Sequence, residues 1–510
     1  MNNTAKVYSA ELCGIFAKQI EVETDLSTGL YSFTIVGLAE KAVSEAKERV
    51  NSALKNSGLN PPNRVNKKIT VNLAPADIKK VGTQFDLPIA ISYLLASGQL
   101  KQFNCNDKLF LGELSLDGSL RKIKGAIAAA RLAKKLDKKY LFIPKSNAKE
   151  AALIKGIKVV PLENLEQLVL YLSGQKKLEV QPVTEFKPTT PPFFRSFEEI
   201  KGQEPAKRAL AIAASGNHNV LMIGPPGTGK TMMAQALASI LPPLSLEEAI
   251  EVNLIYSAAG KLPEGSFISY RPFRSPHHSS SLVSLVGGGT NPVPGEISLA
   301  HRGILFLDEL PEFHRDVLES LRQPLESGHI NISRAKQVVT FPAKFCLVAA
   351  MNPCPCGYFG DPEIECTCTA YQVLRYRKKI SGPLLDRIDI QIEVPRIELQ
   401  KLRKPAEQAD RDLRNRVIKA RQIQIQRLKP LGIYSNSEMS SKQIQQFINL
   451  DSSGEEFLEK VVEKSSLSPR GYFRVLKIAR TIADFELSEK VSAEHLKEAY
   501  QYRVREENKL

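Results

Sequence analysis

The sequence lacks both a leader pattern and a long apolar run. Its opening residues, MNNTAKVYSAELCG, do not place an apolar stretch after a basic one, as a secretory signal peptide does. No apolar run approaches the length that a membrane-spanning helix needs. We therefore expect a cytoplasmic protein that has no membrane partner.

Cysteine is scarce, with seven residues in a chain of 510. Because the thiols of cytoplasmic proteins are kept reduced, these cysteines do not indicate a disulfide framework. They indicate metal ligands or free thiols instead.

Acidic residues are outnumbered by basic ones, 55 against 70, which leaves a formal net charge of +15. Such an excess favours a polyanionic partner, and nucleic acid first. A lysine-rich composition without any ligand explains the charge equally well. A chain of this length is expected to hold several domains, each able to bury its own core.

A glycine-rich stretch, LMIGPPGTGKTMM at 221–233, contains the phosphate-binding pattern G-x-x-x-x-G-K-[ST]. The apolar run before it is typical of a buried strand, and the run after it is typical of a helix. Backbone N–H groups of such a loop bind phosphate oxygens, and the helix N-terminus adds its dipole. We expect Lys230 to reach the β- and γ-phosphates of ATP and Thr231 to bind Mg²⁺. The predicted nucleotide-binding residues are Gly224, Pro225, Pro226, Gly227, Thr228, Gly229, Lys230 and Thr231.

An acidic pair ends the apolar run ILFLDE at 304–309. A buried parallel strand presents carboxylates at the carboxyl edge of its sheet, where the phosphate loop also lies. Asp308 is therefore predicted to hold Mg²⁺ through water, and Glu309 to polarise the attacking water. Many surface strands end in acids, and it is the phosphate loop earlier in the chain that makes this pair specific.

Four cysteines form the pattern C-x-C-x₉-C-x-C at 354–368. Four thiolates at such spacing suit a tetrahedral Zn²⁺ with no open coordination position, so the site is predicted to be structural. The spacing is tighter than the usual C-x-x-C, and free thiols or a redox pair are the alternative. The predicted ligands are Cys354, Cys356, Cys366 and Cys368.

The order of these runs predicts an α/β multidomain protein. Residues 1–173 alternate strand-like and helical runs, and the proline-rich stretch 174–197 is typical of a semi-extended linker. Residues 198–395 carry the nucleotide site and the four-cysteine insert, and 396–510 turn polar and helical, as a small lid does. We expect the linker to let the first domain move relative to the nucleotide-binding domain.

The segment FEEIKGQEPAKRALAIAA at 197–214 resembles the opening of AAA+ modules. The resemblance implies that Asn352, after the apolar run FCLVAAM, is the sensor that positions the lytic water, although an asparagine there is often a turn former. Arg387 in SGPLLDRID matches the arginine finger given to a neighbouring subunit, which implies a closed ring. A salt bridge from Arg387 to Asp386 or Asp389 is the alternative.

Three further basic residues are assigned by the same resemblance. Arg470 in SPRG matches the second sensor of an AAA+ lid, which reaches the nucleotide phosphates, and Arg474 one turn later is its rival. The stretches VGGGTNPVPGEI at 286–297 and INISRAKQVVT at 330–340 resemble the helix-2 insert and pre-sensor hairpin of magnesium chelatase and MCM helicases. Arg334 and Lys336 would then grip the phosphates of a threaded DNA strand, or else form a solvated turn.

Two segments of the first domain, KVGTQFDLPIA at 80–90 and GELSLDGSLRKIKGAIAAA at 112–130, resemble the Lon peptidase domain, whose fold is that of ribosomal protein S5 domain 2. Proteolysis of this type needs a Ser–Lys dyad. Gln84 and Ile127 stand where those residues would be. We therefore expect a non-proteolytic domain that serves assembly or DNA contact, or a passive scaffold.

The motifs MNPCPCGYFGDP, SGPLLDRID, PFRSPHH and ILFLDELPEF resemble the ComM–YifB group of magnesium-chelatase-like AAA+ ATPases over nearly the whole chain. The resemblance implies a homohexameric, ATP-dependent DNA translocase or helicase that acts on single-stranded and branched DNA. Its expected work is branch migration while incoming DNA recombines during natural transformation, alongside recombinase-associated machinery. The alternative is an ATPase that remodels a protein partner, as magnesium chelatase does.

Overall fold

The computed structural model describes residues 4–190, 195–263, 265–334, 337–397, 408–464 and 468–503. None of the helices in these ranges combines the length and the apolar composition needed to cross a bilayer. The chain is a mixed α/β protein whose largest sheet is parallel.

The first domain is built on a long antiparallel hairpin, a feature that the sequence patterns did not predict. Two further strands extend it into a four-stranded sheet of order β1-β2-β4-β3, and β5, β8 and β9 form a separate parallel sheet. The strands are β1 Thr4–Cys13, β2 Phe16–Thr28, β3 Ser32–Val36, β4 Lys67–Ala74, β5 Lys108–Phe110, β6 Glu113–Leu114, β7 Leu120–Arg121, β8 Tyr140–Pro144 and β9 Lys158–Leu162. The helices are α1 Lys41–Ser44, α2 Ala46–Asn56, α3 Asp86–Ala96, α4 Ala126–Lys135, α5 Lys145–Ala151 and α6 Leu165–Leu172, with a 3₁₀ turn at Pro62–Arg64.

The second domain contains a five-stranded parallel sheet of order β11-β14-β17-β10-β18. Its central strands are almost wholly apolar because helices cover both faces, as parallel sheets require. The strands are β10 Val220–Ile223, β11 Phe273–Arg274, β12 Gly287–Gly288, β13 Val293–Pro294, β14 Ile304–Leu307, β15 His329–Arg334, β16 Gln337–Pro342, β17 Cys346–Met351 and β18 Ile390–Glu393. The helices are α7 Glu204–Gly216, α8 Lys230–Ile240, α9 Leu246–Ala259, α10 Leu282–Val286, α11 Glu296–Leu299, α12 Arg315–Ser320, α13 Arg322–Ser327, α14 Ala370–Arg377 and α15 Gly382–Leu385, with 3₁₀ turns at Phe197–Glu199 and Leu310–Glu312.

Two small antiparallel ribbons stand outside the parallel sheet. Strand β12 pairs with β13, and β15 pairs with β16 over six residues a side, from His329–Pro342 to Arg334–Gln337. They fall in the stretches that resemble the helix-2 insert and the pre-sensor hairpin.

The last part of the chain is helical and packs on the second domain. Arg421, on the first helix of this lid, donates from Nε to the backbone oxygen of Ser215 at 2.7 Å, and His218 lies 2.8 Å from the Thr481 hydroxyl. One apolar core joins the two parts. The lid helices are α16 Gln408–Leu428, α17 Ser441–Phe447, α18 Ser452–Lys464, α19 Pro469–Phe485 and α20 Ala493–Gln501, with 3₁₀ turns at Lys429–Leu431 and Asn436–Glu438.

The first and second domains share one apolar cluster, although the first domain also has a core of its own, and this packing differs from the independent movement expected of them. Helix α4 packs against α9, and buried residues of both domains belong to one cluster. Polar contacts cross the same boundary: the backbone N–H of Gly125 donates to the Ser257 hydroxyl at 3.1 Å, and Lys122 Nζ donates to the Leu262 oxygen at 2.8 Å. The segment that was expected to act as a linker packs against both domains. The backbone N–H of Thr184 donates to the Ala152 oxygen, and that of Thr189 donates to the Ser269 oxygen.

Candidate functional site

The phosphate loop lies at the carboxyl end of β10, between that strand and α8. Gly229 precedes the helix with φ of 84°, a conformation that residues with a β-carbon rarely adopt. Lys230, the first residue of α8, donates from Nζ to the backbone oxygens of Gly224 and Pro225 at 2.7 and 2.8 Å. Burial lowers the pKa of Lys230. The loop therefore holds its ammonium group close to its own backbone, at the edge where parallel α/β sheets bind ligands.

Asn352 directly follows β17 and joins this arrangement. Its Oδ1 accepts a hydrogen bond from Lys230 Nζ at 3.2 Å. Strands β10 and β17 are neighbours, with Ile223 opposite Met351, so their carboxyl ends meet. The structure thus brings the predicted sensor asparagine to the phosphate loop.

A hydroxyl and a carboxylate come together beside the loop. Thr231 Oγ1 donates to Asp308 Oδ2 at 2.7 Å, with Asp308 placed by the end of β14. Magnesium prefers oxygen ligands in an octahedron, whose adjacent oxygens are separated by about 3.0 Å when each Mg–O bond is about 2.1 Å. This pair of oxygens therefore fits Mg²⁺ in both chemistry and spacing.

Glu309 has an unusual backbone and a partner that sequence reasoning missed. Its φ is 51°, in the left-handed region that is sparsely populated away from glycine, and its N–H donates to Asp308 Oδ1 at 3.0 Å. Its carboxylate oxygen Oε2 lies 3.4 Å from His278 Nδ1. Such strain concentrates at functional sites because the surrounding contacts must enforce it.

The rings of the two adjacent histidines contact each other, with centroids 4.1 Å apart and planes tilted by 35°. If these histidines lay on a strand, their side chains would point to opposite faces of it. They follow the two-residue strand β11 in a loop instead, so that rule does not apply to them. His277 Nδ1 lies 2.8 Å from the Ser279 hydroxyl, whereas His278 faces Glu309 and packs its ring edge-on to Phe313.

The four cysteines converge between β17 and α14. Their sulfur atoms all lie within 4.8 Å of one another, and the Cys354–Cys356, Cys354–Cys366 and Cys356–Cys366 sulfur distances are 3.3, 3.7 and 3.5 Å. A tetrahedral zinc site with Zn–S bonds of about 2.3 Å separates its sulfurs by about 3.8 Å. Four thiols at nearly this spacing fit a zinc ion.

The four-cysteine insert also contacts the phosphate loop. Gly357, within the insert, has φ of 90°, and a β-carbon there would lie 2.8 Å from Pro226 Cδ. The insert begins just after Asn352. The four-cysteine insert and the phosphate loop are therefore in direct van der Waals contact through Gly357 and Pro226.

Arg387 lies away from the phosphate loop and pairs with neither of the two acids considered from sequence. Its Nη2 donates to Glu326 Oε2, and its Nη1 donates to the Pro383 oxygen at 2.7 Å. Asp386 instead lies 4.0 Å from Arg503 Nη2. The Arg387 side chain is only 8 % exposed.

Asp389, the other acid considered, faces Arg474 Nε at 3.6 Å and His218 Nδ1 at 3.5 Å. Burial opposes its charge, yet the nearby His218 and Arg474 hold its pKa below the ordinary value. Arg474, the rival for the second-sensor role, is thus engaged by this acid within its own chain.

Arg470 joins Arg387 on the far edge of the sheet. Its Nη2 lies 3.7 Å from Glu326 Oε1, the other oxygen of the carboxylate that Arg387 holds. Glu326, Arg387 and Arg474 line a cleft of about 510 Å³. Residues one or two positions before every strand of the parallel sheet line the same cleft, namely Asn219, Arg271, Arg302, Phe345 and Asp389. The cleft therefore faces the amino ends of the strands, whereas the phosphate loop is at their carboxyl ends. The lid docks at this amino edge, and this is why the structure separates Arg470 from the phosphate loop of its own chain.

The hairpin predicted to contact DNA is packed at its base. Ile330 and Phe341 are buried. Gly14 of the first domain lies so close to the hairpin that a β-carbon added to it would be 2.9 Å from Val339 Cγ1. Arg334 ends β15, and its side chain, like the whole of Lys336, lies outside the described residues.

The positions that replace the peptidase dyad are occupied by a tied-down amide and a core residue. Gln84 donates from Nε2 to Glu11 Oε2 at 3.0 Å and to the Val81 oxygen at 2.9 Å, and Ile127 is fully buried. Burial raises the pKa of Glu11 to about 8. Neither position offers a nucleophile or a base for peptide hydrolysis.

Comparison with known families places three matches along the chain. A model described as magnesium chelatase, subunit ChlI, matches residues 196–402. Models for subunit ChlI of Mg-chelatase and for the ChlI C-terminal part match residues 22–147 and 407–503. Together they cover parts of all three packed units described above.

Two relatives match over almost their entire length. The competence protein ComM of Haemophilus influenzae is 45 % identical over 507 residues, which is 98 % of this chain and 97 % of that protein. The YifB protein of Escherichia coli is 44 % identical over 98 % of this chain and 96 % of its own. The magnesium-chelatase 38 kDa subunit of Cereibacter sphaeroides is 28 % identical over 31 % of this chain and 52 % of its own.

Proposed function

The chain belongs to the ComM–YifB family of magnesium-chelatase-like AAA+ proteins, and we propose that it is an ATPase that drives DNA strands through a ring of its own copies. The observation that carries the ATPase part is the meeting of Lys230, Asn352, Thr231 and Asp308 at one edge of the sheet. Basic, hydroxyl, amide and acidic groups in this arrangement are what phosphoryl transfer from ATP needs.

Each residue at the carboxyl edge has a role in this proposal. Lys230 and the loop N–H groups bind the β- and γ-phosphates, while Thr231 and Asp308 hold the metal ion. Bound Mg²⁺ neutralises charge on the phosphate oxygens. Glu309 accepts a proton from the attacking water, and Asn352 orients that water.

Arg387 and Arg470 complete the site of a neighbouring subunit in this proposal. They lie together at the amino edge, opposite the phosphate loop, so a head-to-tail contact between two copies brings the arginines of one to the nucleotide of the other. Repeated head-to-tail contacts form a closed ring when the rotations between successive copies add up to a full turn. We propose a ring of six copies. Two arginines then stabilise the charge that develops on the γ-phosphoryl group.

DNA is the proposed cargo for two reasons: the positive charge of the chain, and its similarity to a competence protein. The net charge of +15 favours a polyanion, and the chain is 45 % identical to a competence protein. Arg334 and Lys336 on the β15–β16 hairpin, with the β12–β13 ribbon, are proposed to contact single-stranded or branched DNA in the central pore. Branch migration during recombination of incoming DNA, alongside recombinase-associated machinery, is the proposed role.

A zinc ion held by the four cysteines is proposed as a structural part of the motor. Sulfur spacing close to that of a tetrahedral site supports it. Its contact with Pro226 through Gly357 gives the ion a mechanical connection to the phosphate loop.

The test is strand displacement from a three-stranded DNA joint by the full-length protein with ATP. We expect Lys230→Ala and Glu309→Gln to abolish displacement, and Glu309→Gln to retain bound ATP. Glu312→Gln is the matched control, because Glu312 lies in the same short turn but pairs with Lys379 at 3.1 Å. Displacement by Glu309→Gln at the wild-type rate would refute the proposal.

A second candidate is an ATPase that remodels a protein partner. The match to magnesium-chelatase 38 kDa subunits over about a third of the chain supports it. Stimulation of ATP hydrolysis by single-stranded or branched DNA favours the first candidate. A rate that DNA leaves unchanged, together with capture of a specific protein, favours the second.

A further inference from the structure

Two arginines assigned to a neighbour's phosphates share one carboxylate in the protomer. Glu326 accepts from Arg387 through Oε2, and its Oε1 lies 3.7 Å from Arg470 Nη2. The hydrogen bond from Arg387 lowers the pKa of Glu326, so the group is an anion at neutral pH. One carboxylate thus sits between two guanidinium groups, which is the chemistry that a phosphate would present to them.

Exposure differs sharply between the partners. The Arg387 side chain is 8 % exposed, whereas those of Glu326 and Arg470 are 59 % and 61 % exposed. Among the described residues, the Arg387 Nε is buried without a hydrogen-bond partner. The solvent-exposed side chain of Glu326 therefore covers the outer side of Arg387.

We propose that Glu326 is a positioning residue, whose carboxylate holds Arg387 and Arg470 together in the free protomer and gives way to the nucleotide phosphates of a neighbouring copy. This inference rests on the proposed role of the two arginines in a neighbour's site. Guanidinium groups pair with carboxylate and with phosphate in the same forked geometry, so the exchange leaves both arginines in place. Exchange breaks the ion pairs that Glu326 makes with Arg387 and Arg470. When no nucleotide phosphate replaces them, this loss opposes assembly.

Glu326 is also connected to the β15–β16 hairpin. It lies on α13, and Gly328, with φ of 70°, joins that helix to β15. The N–H of Gly328 donates to the Pro324 oxygen at 2.9 Å, and its own oxygen accepts from Ala343, just after β16, at 2.8 Å. Both arms of the hairpin are thereby anchored next to the glutamate. A DNA strand that displaces the hairpin moves α13 and pulls the carboxylate away from Arg387.

The experiment measures ATP hydrolysis by the full-length protein as a function of protein concentration, with and without single-stranded DNA. We expect Glu326→Gln to lower the concentration for half-maximal activity about fivefold, because the internal ion pairs no longer compete. The rate at saturating protein stays within about twofold of wild type, and stimulation by DNA falls by about half or more. Glu326→Asp, which keeps the charge, restores most of the wild-type concentration dependence.

Glu319→Gln is the matched control. Glu319 lies on α12, the helix before α13, and pairs with Arg322 at 2.7 Å. It should leave the concentration dependence and the response to DNA unchanged. Thermal unfolding of every variant checks that the fold is retained.

Three outcomes decide the matter. An unchanged concentration dependence in Glu326→Gln overturns the inference, and so does a loss of activity at every concentration, which would mean that Glu326 supports the working arginine. Arg387→Ala tests the underlying function separately. If Arg387→Ala hydrolyses ATP at the full rate, the proposed role of the arginine has failed, whatever Glu326→Gln does.

Discussion

Lys230 Nζ lies 3.2 Å from Asn352 Oδ1, so two residues 122 positions apart meet at one edge of the sheet. The contact exists because β10 and β17 are parallel neighbours that end side by side. It links the group proposed to bind phosphate to the group proposed to orient water. Removing Lys230 should therefore impair a different step of the reaction from the one that removing Asn352 impairs.

Asn352→Ala should lower kcat for ATP hydrolysis at least about tenfold and leave ATP affinity within about threefold, because a residue that orients water acts in the transition state. Lys230→Ala should instead lose ATP binding. Steady-state hydrolysis and binding of a fluorescent ATP analogue measure the two effects. Equal losses of affinity in both variants would argue against separate roles.

His278 should position the Glu309 carboxylate, 3.4 Å from its Nδ1. We expect His278→Ala to reduce kcat about three- to tenfold with KM for ATP unchanged, since a freed carboxylate spends less time in its productive orientation. His277→Ala is the control, because His277 contacts Ser279 rather than the glutamate. A similar loss in both variants would point to loop folding instead.

Removal of metal from the four-cysteine insert should weaken ATP binding. The purified protein should contain about one zinc ion per chain, and Cys366→Ser should lose it and bind ATP about tenfold more weakly, because the insert supports Pro226. Cys105→Ser, a half-buried thiol of the first domain, should change neither. Elemental analysis and ATP titration measure this. Full ATP affinity in the metal-free variant would disprove the connection.

A ring with shared sites should show complementation. Each variant should be inactive alone, because Glu309→Gln lacks the glutamate and Arg387→Ala lacks the arginine. Glu309→Gln still supplies Arg387, and Arg387→Ala still supplies Glu309. In an equal, random mixture about a quarter of the interfaces combine both intact groups, and hydrolysis should recover to about a quarter of wild type. A mixture as inactive as its parts would contradict a site shared between copies.

Glu150 should make stability depend on pH. Burial raises its pKa from 4.5 to about 7, beside Asn147, Lys122 and the Ser257 hydroxyl of the second domain. The folded protein holds this proton more tightly than the unfolded chain, so the group costs stability as pH rises from about 4.5 to about 7, by roughly 3 kcal/mol in all. Glu150→Gln should flatten that part of the curve and raise Tm above pH 7.

Thermal unfolding from pH 5 to pH 8 checks this. Glu163→Gln is the control: Glu163 is exposed, and its pKa is lowered by Lys145. An unchanged slope in Glu150→Gln would show that another group dominates this range.

Local patterns were sufficient to predict a good part of the fold. Residues 396–510 were predicted to be helical, and the described part of that stretch contains the five α-helices α16 to α20. The phosphate loop and the acidic strand end were also predictable, because each motif lies within a continuous stretch whose apolar pattern identifies the flanking element.

Contacts between distant segments were not predictable in this way. Nothing in the residues around Arg387 indicates that Glu326, 61 positions earlier, is its partner. His278 was missed as the partner of Glu309 because it lies in a loop, where no strand or helix period indicates which side chains face each other. The long β1–β2 hairpin was missed because polar residues, namely Ser9, Glu11 and Thr24, occupy buried positions on its strands and interrupt the apolar alternation in the sequence.

The shared core of the first two domains has a consequence for how the chain can be divided. Cutting near residue 174 would strip the cover from α9 and leave its apolar side in water, so the fragment that carries the phosphate loop should aggregate instead of behaving as a minimal motor. The same packing makes the first domain a fixed part of the machine's frame. Any load that it bears is transmitted directly to the helix beside the catalytic sheet.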